Sequence, residues 1–185
     1  MIPEATPCDS VCRRSSTVAR AHRAFTIVEV LIVVFALVIL AAVVIPQFSR
    51  ASQQSRQSSL KDVLQYFKTQ IAVFKAQHQD VPPGYPGADP TSGPTSHALT
   101  NQLTEYSDVF CDLSLRAATA FQYGPYVKDM PVNPVNGMNT VKMVGNNQSI
   151  PAPDGRTGWI YKPQTQELIP NLTGNDASGT PYSNY

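Results

Sequence analysis

The chain has 185 residues, of which 42% are apolar and only 15% are charged, and its net charge is +1. This length predicts one compact domain with appendages, and the near-neutral charge gives no argument for nucleic acid as a partner. The three cysteines, Cys8, Cys12 and Cys111, are an odd number that makes no disulfide framework. Cys111 is expected to be a small, buried apolar residue.

A basic leader precedes a long apolar segment. Residues 10–28 contain four arginines and no acid, and the run from Phe25 to Ile45 is interrupted only by Thr26 and Glu29. As a helix this run would be about 31 Å long at ~1.5 Å per residue, which matches a hydrocarbon core of ~30 Å. The arginines predict a cytoplasmic N-terminus. The sequence therefore predicts a leader over 1–24, a transmembrane helix over 25–46, and a single-pass protein of the bacterial inner membrane with a periplasmic C-terminal domain.

Glu29 is the informative residue of the apolar segment. An ionised carboxylate costs about 2–3 kcal/mol near the bilayer centre and less near the interface. The nearest cation, Arg23, lies six positions back and is not on the same helix face. A cut before Phe25 would create a free amine that the Glu29 of a neighbouring subunit neutralises. The alternative is a glutamate whose carboxylate reaches out to the interface.

Residues 24–33 (AFTIVEVLIV) resemble the cleavage signal of type IV pilins and type II secretion pseudopilins. The resemblance implies that a prepilin peptidase cuts between Ala24 and Phe25 and methylates the new amine, and that Phe25 and Glu29 direct assembly. It also implies a helix kink at Pro46. The chain departs from the pattern in having Ala24 where glycine is usual. Residues 70–86, 124–137 and 158–168 are also similar to major pseudopilins.

The helical pattern persists beyond Pro46. Apolar residues recur at three- and four-residue steps and predict an amphipathic helix over 47–80 that continues the first one and stops at Pro82-Pro83-Gly84; they are Leu60, Val63, Leu64, Phe67, Ile71 and Phe74. Such a stripe is expected to pack against a core. The C-terminal half must cover it.

The remaining residues predict a globular region over 81–172 and a flexible tail over 173–185. Ser96 is expected to cap a short helix that runs through Leu103, and residues 111–121 to form a short helical or irregular piece. Short strands are predicted at 140–144, 158–161 and 167–169, with a turn at 163–166 and a tight turn at Asn136-Gly137. The predicted fold class is α+β: a long N-terminal helix packed on a small C-terminal antiparallel sheet, the arrangement that the pilin-like resemblance implies.

The sequence shows no catalytic arrangement. His78 and His97 lie at a helix end and in a loop, without a nucleophile motif around them, so the chain is not predicted to be an enzyme. No cofactor is expected, except that the resemblance to major pseudopilins raises the question of calcium. The familiar acidic calcium loop is not recognisable, and the oxygen-rich candidates are Asp154, Asn171, Asn175 and Asp176.

These observations favour a structural subunit of a type II secretion pseudopilus. It would be inserted in the inner membrane as a prepilin, processed by the peptidase, and polymerised with itself and other pseudopilins on the secretion platform to support protein export. The single exported cysteine favours a pseudopilin over a surface pilin closed by a disulfide. The alternatives are a type IV pilus or competence subunit, and an uncleaved membrane-anchored periplasmic binding module.

Overall fold

The computed structural model describes residues 25–185, except for the side chains of residues 43, 45, 46, 49 and 50. The predicted leader with Ala24, and the side chain of Pro46 on which the predicted kink depends, lie outside the described residues. The chain divides into two compact units, one ending at Val44 and one spanning Ile45–Tyr185. The elements are helix α1 (Ile27–Gln77), helix α2 (Ser96–Thr104), strands β1 (Tyr106–Ser107), β2 (Leu113–Ser114), β3 (Val141–Met143), β4 (Trp159–Lys162) and β5 (Glu167–Pro170), and short 3-10 helices at Pro86–Ala88 and Tyr182–Asn184.

Helix α1 begins directly after a capping threonine and ends shortly before two residues with a left-handed backbone conformation. The Thr26 hydroxyl accepts a hydrogen bond from the Glu29 backbone N–H at 3.2 Å, which satisfies one of the free N–H groups of the first turn. After Gln77, the backbone of Gln79 (φ 53°) and Asp80 (φ 66°) turns into the left-handed region. This turn and the prolines that follow prevent the helix from continuing.

The predicted apolar stripe of α1 forms the centre of the core in the second unit. Leu60, Leu64, Phe67, Ile71 and Phe74 are all buried, which confirms the interpretation of their spacing. The cover comes from α2 and the strands; its members include Leu99, Leu103, Val141, Trp159, Tyr161 and Leu168. The Phe67 and Trp159 rings meet edge to face with centroids 5.9 Å apart, an arrangement that aromatic pairs favour.

Helix α2 lies where the sequence predicts it, with a different cap. Thr95, not Ser96, accepts the hydrogen bond from the Ala98 N–H, at 3.1 Å. The buried face carries Ala98, Leu99 and Leu103. The predicted short helix is therefore confirmed, and its predicted cap is wrong by one residue.

The strands correct the predicted fold class. β4 and β5 are antiparallel, but β3 pairs with β4 in parallel, with Val141 opposite Trp159. The three-stranded sheet is therefore mixed, in the order β3-β4-β5, and β1 and β2 form a separate two-stranded sheet. The predicted small antiparallel sheet is therefore wrong. Parallel pairing needs a crossover of about a dozen residues or more, and the connection from β3 to β4, residues 144–158, is long enough to provide it.

The structure also corrects the predicted membrane-spanning first half of the N-terminal helix. In the part of the chain that the structure describes, no helix is both long and apolar enough to cross a membrane. The single-pass inner-membrane localisation, which depended on this helix, is corrected with it.

The C-terminal residues differ from the flexible tail predicted for 173–185. The Gln57 side-chain amide donates a hydrogen bond to the Tyr182 hydroxyl at 3.2 Å, and the Lys61 ammonium lies 4.4 Å from the centroid of the Tyr185 ring. Tyr182 and Tyr185 also pack against the core cluster. Two aromatic rings thus hold a segment whose Gly, Ser and Asn content favours disorder.

Candidate assembly surface

The N-terminal unit presents its apolar side chains to solvent on every face. Thirteen large apolar residues between Phe25 and Leu40 are exposed, from 50% at Val30 to 85% at Ile27. Because they are nearly consecutive and a helix has ~3.6 residues per turn, no polar face is left. A helix that is apolar all round is normally buried.

This surface is large enough to drive association. Monomeric soluble proteins rarely expose contiguous apolar patches above a few hundred Å². Full burial of a large apolar side chain contributes about 1.5–3 kcal/mol, so thirteen of them represent on the order of 20 kcal/mol even though none starts fully exposed. That exceeds the roughly 4–15 kcal/mol that association costs in lost freedom of motion. The surface is therefore a candidate for packing against other chains.

Glu29 and Phe25 lie at the start of this surface, where the sequence predicts them to act in assembly. Phe25 is 78% exposed, and Glu29 is also exposed, in the first turn of α1. Thr26 and Glu29 have the spacing of a capping box, in which a glutamate at this position supports the helix start. A carboxylate here also interacts favourably with the positive end of the helix dipole. This local role was missed from the sequence, although the Thr-x-x-Glu spacing signals it.

The structure brings together two of the four candidate calcium ligands. The buried Asn171 amide oxygen accepts hydrogen bonds from the backbone N–H groups of Asp154 (2.7 Å) and Gly155 (3.2 Å). Its amide nitrogen donates to the Asp154 carboxylate at 2.6 Å and to the Thr157 hydroxyl at 2.8 Å. The Lys142 ammonium lies 2.9 Å from the other Asp154 oxygen. The oxygens that a cation needs are therefore already occupied by N–H donors and an ammonium group.

The same donors keep the Asp154 carboxylate in its charged form. The pKa of Asp154 is held well below its usual range, first by the hydrogen bond from the Arg156 backbone N–H, then by the Asn171 amide and the Lys142 ammonium. Because these donors stabilise the ionised form, the carboxylate stays charged and paired. The cluster acts as a polar clamp between the 154–157 turn and the end of β5.

The other two candidates belong to the C-terminal segment. One Asp176 oxygen accepts hydrogen bonds from the Ser178 N–H and the Thr180 N–H, both at 2.8 Å. The second oxygen accepts from the Tyr185 hydroxyl at 2.7 Å. Asn175 forms an isolated bridge with Pro181. No hydrogen bond joins this group to Asp154 or Asn171 among the described residues, and no group of three His, Cys, Asp or Glu side chains in that part of the chain is arranged to hold a metal.

His78, which the sequence places only at a helix end, is buried and forms a hydrogen bond through each of its two ring nitrogens. Its Nδ1 lies 2.8 Å from the Phe74 carbonyl oxygen, which accepts, so this nitrogen carries the hydrogen. Its Nε2 lies 3.0 Å from the Ser107 hydroxyl, which then donates. Burial lowers the pKa of His78. Because His78 is 1% exposed and Ser107 is 0% exposed, the pair joins α1 to β1 and is closed to a substrate.

The β1–β2 hairpin was also missed from the sequence. The Asp108 carboxylate accepts hydrogen bonds from the backbone N–H groups of Phe110 (2.8 Å) and Asp112 (2.9 Å) and so shapes the turn. Cys111 points into the core and is 5% exposed, as a free thiol. The prediction that Cys111 is buried is confirmed.

Comparison with protein-family models, with curated proteins and with solved structures gives no match. Two features of the chain itself indicate its function. One is the ordered motif over residues 24–33. The other is the exposed apolar surface that begins at Phe25.

Proposed function

We propose that the chain is the repeating structural subunit of a filament of the type II secretion pseudopilus class. In this proposal a prepilin peptidase cuts between Ala24 and Phe25, and copies then assemble with one another and with related subunits. The observation that carries it is the run of thirteen exposed large apolar residues from Phe25 to Leu40. A surface of this size that is apolar on every face fits a bundle of identical helices better than it fits a small ligand.

Glu29 gives such a bundle its register. Within packed apolar helices, a lone carboxylate is costly unless a cation neutralises it. The amine created at Phe25 is a cation at the same end of a neighbouring helix. Breaking a buried pair by removing one partner typically costs about 3–5 kcal/mol, so a subunit without Glu29 is expected to assemble poorly.

Within this class, a pseudopilus is preferred to a surface pilus. The described residues contain one cysteine, Cys111, which is buried and free. A C-terminal loop closed by a disulfide, common among surface pilins, has no partner thiol in that part of the chain.

The test combines processing with assembly. Intact mass and N-terminal sequencing of the protein from expressing cells are expected to show a chain that begins at Phe25 with added methyl mass. Sheared filaments, quantified against total protein and viewed by electron microscopy, measure assembly. A chain that begins at Met1 and forms no filaments would contradict the proposal.

Three variants separate the two roles of Glu29. Glu29→Ala removes the carboxylate and most of the side chain but keeps the backbone N–H that binds Thr26, whereas Glu29→Gln keeps the side-chain length and removes only the charge. Asp129→Ala is the matched control, because Asp129 is an exposed acid outside α1. We expect both Glu29 variants to lose filaments and the control to keep them. If Glu29→Gln assembles normally, the charge of residue 29 is not needed and the register role is wrong.

A further inference from the structure

Residues 105–126, called here the cover segment, lie over the end of α1 with few buried side chains of their own. Only Ser107 and Cys111 in this segment are buried. Two backbone hydrogen bonds between Ser107 and Tyr123, at 2.9 and 3.1 Å, hold it together. Segments with few buried apolar contacts open locally at a lower free energy than global unfolding requires. The cover segment is therefore expected to open without the rest of the second unit.

The ring of His78 is enclosed between α1 and the cover segment. The Ser107 hydroxyl lies 3.0 Å from its Nε2, and the rings of Tyr123 and Tyr126 meet it edge to face, with centroids 5.5 and 6.1 Å away. On the other side the ring stacks on Phe74 of its own helix, at 3.9 Å. Apart from Phe74, each of these partners belongs to the cover segment, so water reaches the ring when that segment moves away.

The closed site suits a neutral imidazole. The Phe74 carbonyl oxygen accepts the hydrogen of Nδ1 at 2.8 Å, so Nε2 is the nitrogen that accepts from the Ser107 hydroxyl. Burial lowers the pKa of His78, although the Phe74 and Asp108 carbonyl oxygens and the Asp108 carboxylate oppose the shift. The closed state therefore binds a proton less readily than a ring in water.

The groups that face His78 do not offset a charge on its ring. Asp108 is the acid that acts on it, and its carboxylate already accepts hydrogen bonds from two backbone N–H groups of its own turn. Tyr123 and Tyr126 are phenols, which carry no charge near pH 6. No salt bridge in the described part of the chain includes His78. Because a buried charge without an ion-pair partner is costly, protonation favours the state in which the ring meets water.

We infer that the cover segment is released by acid: when His78 takes up a proton, the segment leaves α1 while the sheet of β3, β4 and β5 stays folded. The proton binds Nε2, the nitrogen that accepts from Ser107 in the closed state, so opening and protonation occur together. A two-stranded hairpin alone is at best marginally stable in water, so the backbone hydrogen bonds within the segment open with it. This device depends on His78 and its cover alone and goes beyond the proposed function.

Hydrogen exchange of the full chain in detergent, read by peptide mass spectrometry, tests the inference. Each rate is compared with that of a synthetic peptide of the same sequence at the same pH, which removes the intrinsic pH dependence of exchange. Between pH 7 and 5.5 we expect the protection of peptides containing Ser107 or Tyr123 to fall at least threefold, within the limit of about tenfold per pH unit for one group. Peptides from β4 and β5 are expected to keep their protection.

Histidine variants assign the effect. The double variant His22→Gln/His97→Gln leaves His78 as the only histidine of the chain and is expected to keep the whole fall in protection. His78→Gln is expected to show no fall between pH 7 and 5.5. Unchanged Trp159 fluorescence shows that each variant is folded.

The opposite outcomes overturn the inference. Protection that stays constant in the wild type or in the double variant shows that His78 does not control the cover segment, and so does a fall that persists in folded His78→Gln. An equal fall in the β4 and β5 peptides shows that only global unfolding exposes the ring. Because the double variant leaves the buried site unchanged, the test is decisive even if His78→Gln does not fold.

Discussion

Replacing Asn171 with alanine is expected to cause a large loss of stability. The side chain is 0% exposed and makes four hydrogen bonds, two to backbone N–H groups, one to Asp154 and one to Thr157. A net contribution of about 0.5–1.5 kcal/mol for each bond gives about 4 kcal/mol in total. A domain is typically stable by about 5–15 kcal/mol, so the variant keeps only part of its free energy of unfolding.

Trp159 provides the assay. It is the only tryptophan of the chain and is fully buried, so its fluorescence follows unfolding of the second unit in urea. With a slope of about 2 kcal/mol per molar urea, a loss of 4 kcal/mol lowers the midpoint by about 2 M. The full chain in detergent is used, because its apolar helix is exposed.

The matched control is Asn139→Ala. Asn139 is exposed, and surface substitutions of this kind usually change stability by less than about 0.5 kcal/mol. If Asn171→Ala shifts the midpoint no more than this control, the polar clamp does not hold the 154–157 turn and the reasoning is refuted.

The same titration checks three further changes. Burial lowers the pKa of His78 in the folded chain, so the unfolded chain binds a proton first as the pH falls. Stability is therefore expected to fall as the pH drops below about 6.5, by at most ~1.4 kcal/mol per pH unit, and His78→Gln should lack this dependence. Tyr161→Phe removes a buried hydroxyl that has no hydrogen-bond partner among the described residues, so stability should stay equal or rise by about 1–2 kcal/mol; a loss would reveal a hidden partner. Gly158→Ala places a Cβ against the Met138 carbonyl oxygen and should destabilise by about 1–3 kcal/mol, whereas Gly93→Ala, which meets nothing within 4 Å, should not.

Local periodicity made the helices of the second unit predictable. The apolar stripe of α1 recurs every three or four residues, and its five buried members form the core. The start of α2 was predicted within one residue, but two adjacent hydroxyl residues, Thr95 and Ser96, compete for its cap. Only the backbone conformation, extended at Thr95, decides between them.

Strand pairing was beyond what the sequence specifies. The strands have only two to four residues, too few for a hydrophobic alternation to set a register. The sequence located β3, β4 and β5 to within a few residues, yet the direction of β3 depends on the path of a fifteen-residue connection. Turn residues alone do not define that path.

Of the predicted site residues, Asp154 and Asn171 do lie together, but as partners of each other. Their chemistry suits a cation and suits a hydrogen-bonded clamp equally well. The deciding group is Lys142, which β3 brings to Asp154 from twelve residues away. The role of Phe25 and Glu29 in assembly stays a prediction, because it depends on a second copy of the chain.

The buried thiol of Cys111 allows opening of the β1–β2 hairpin to be measured by chemical labelling. Burial raises its pKa to about 12, so at neutral pH almost none of it is the reactive thiolate. A thiol reagent can reach it only when the hairpin opens, and the labelling rate then reports how often the 106–114 segment leaves the core. In the proposed filament, the same shielding would slow disulfide formation between the Cys111 thiols of neighbouring copies.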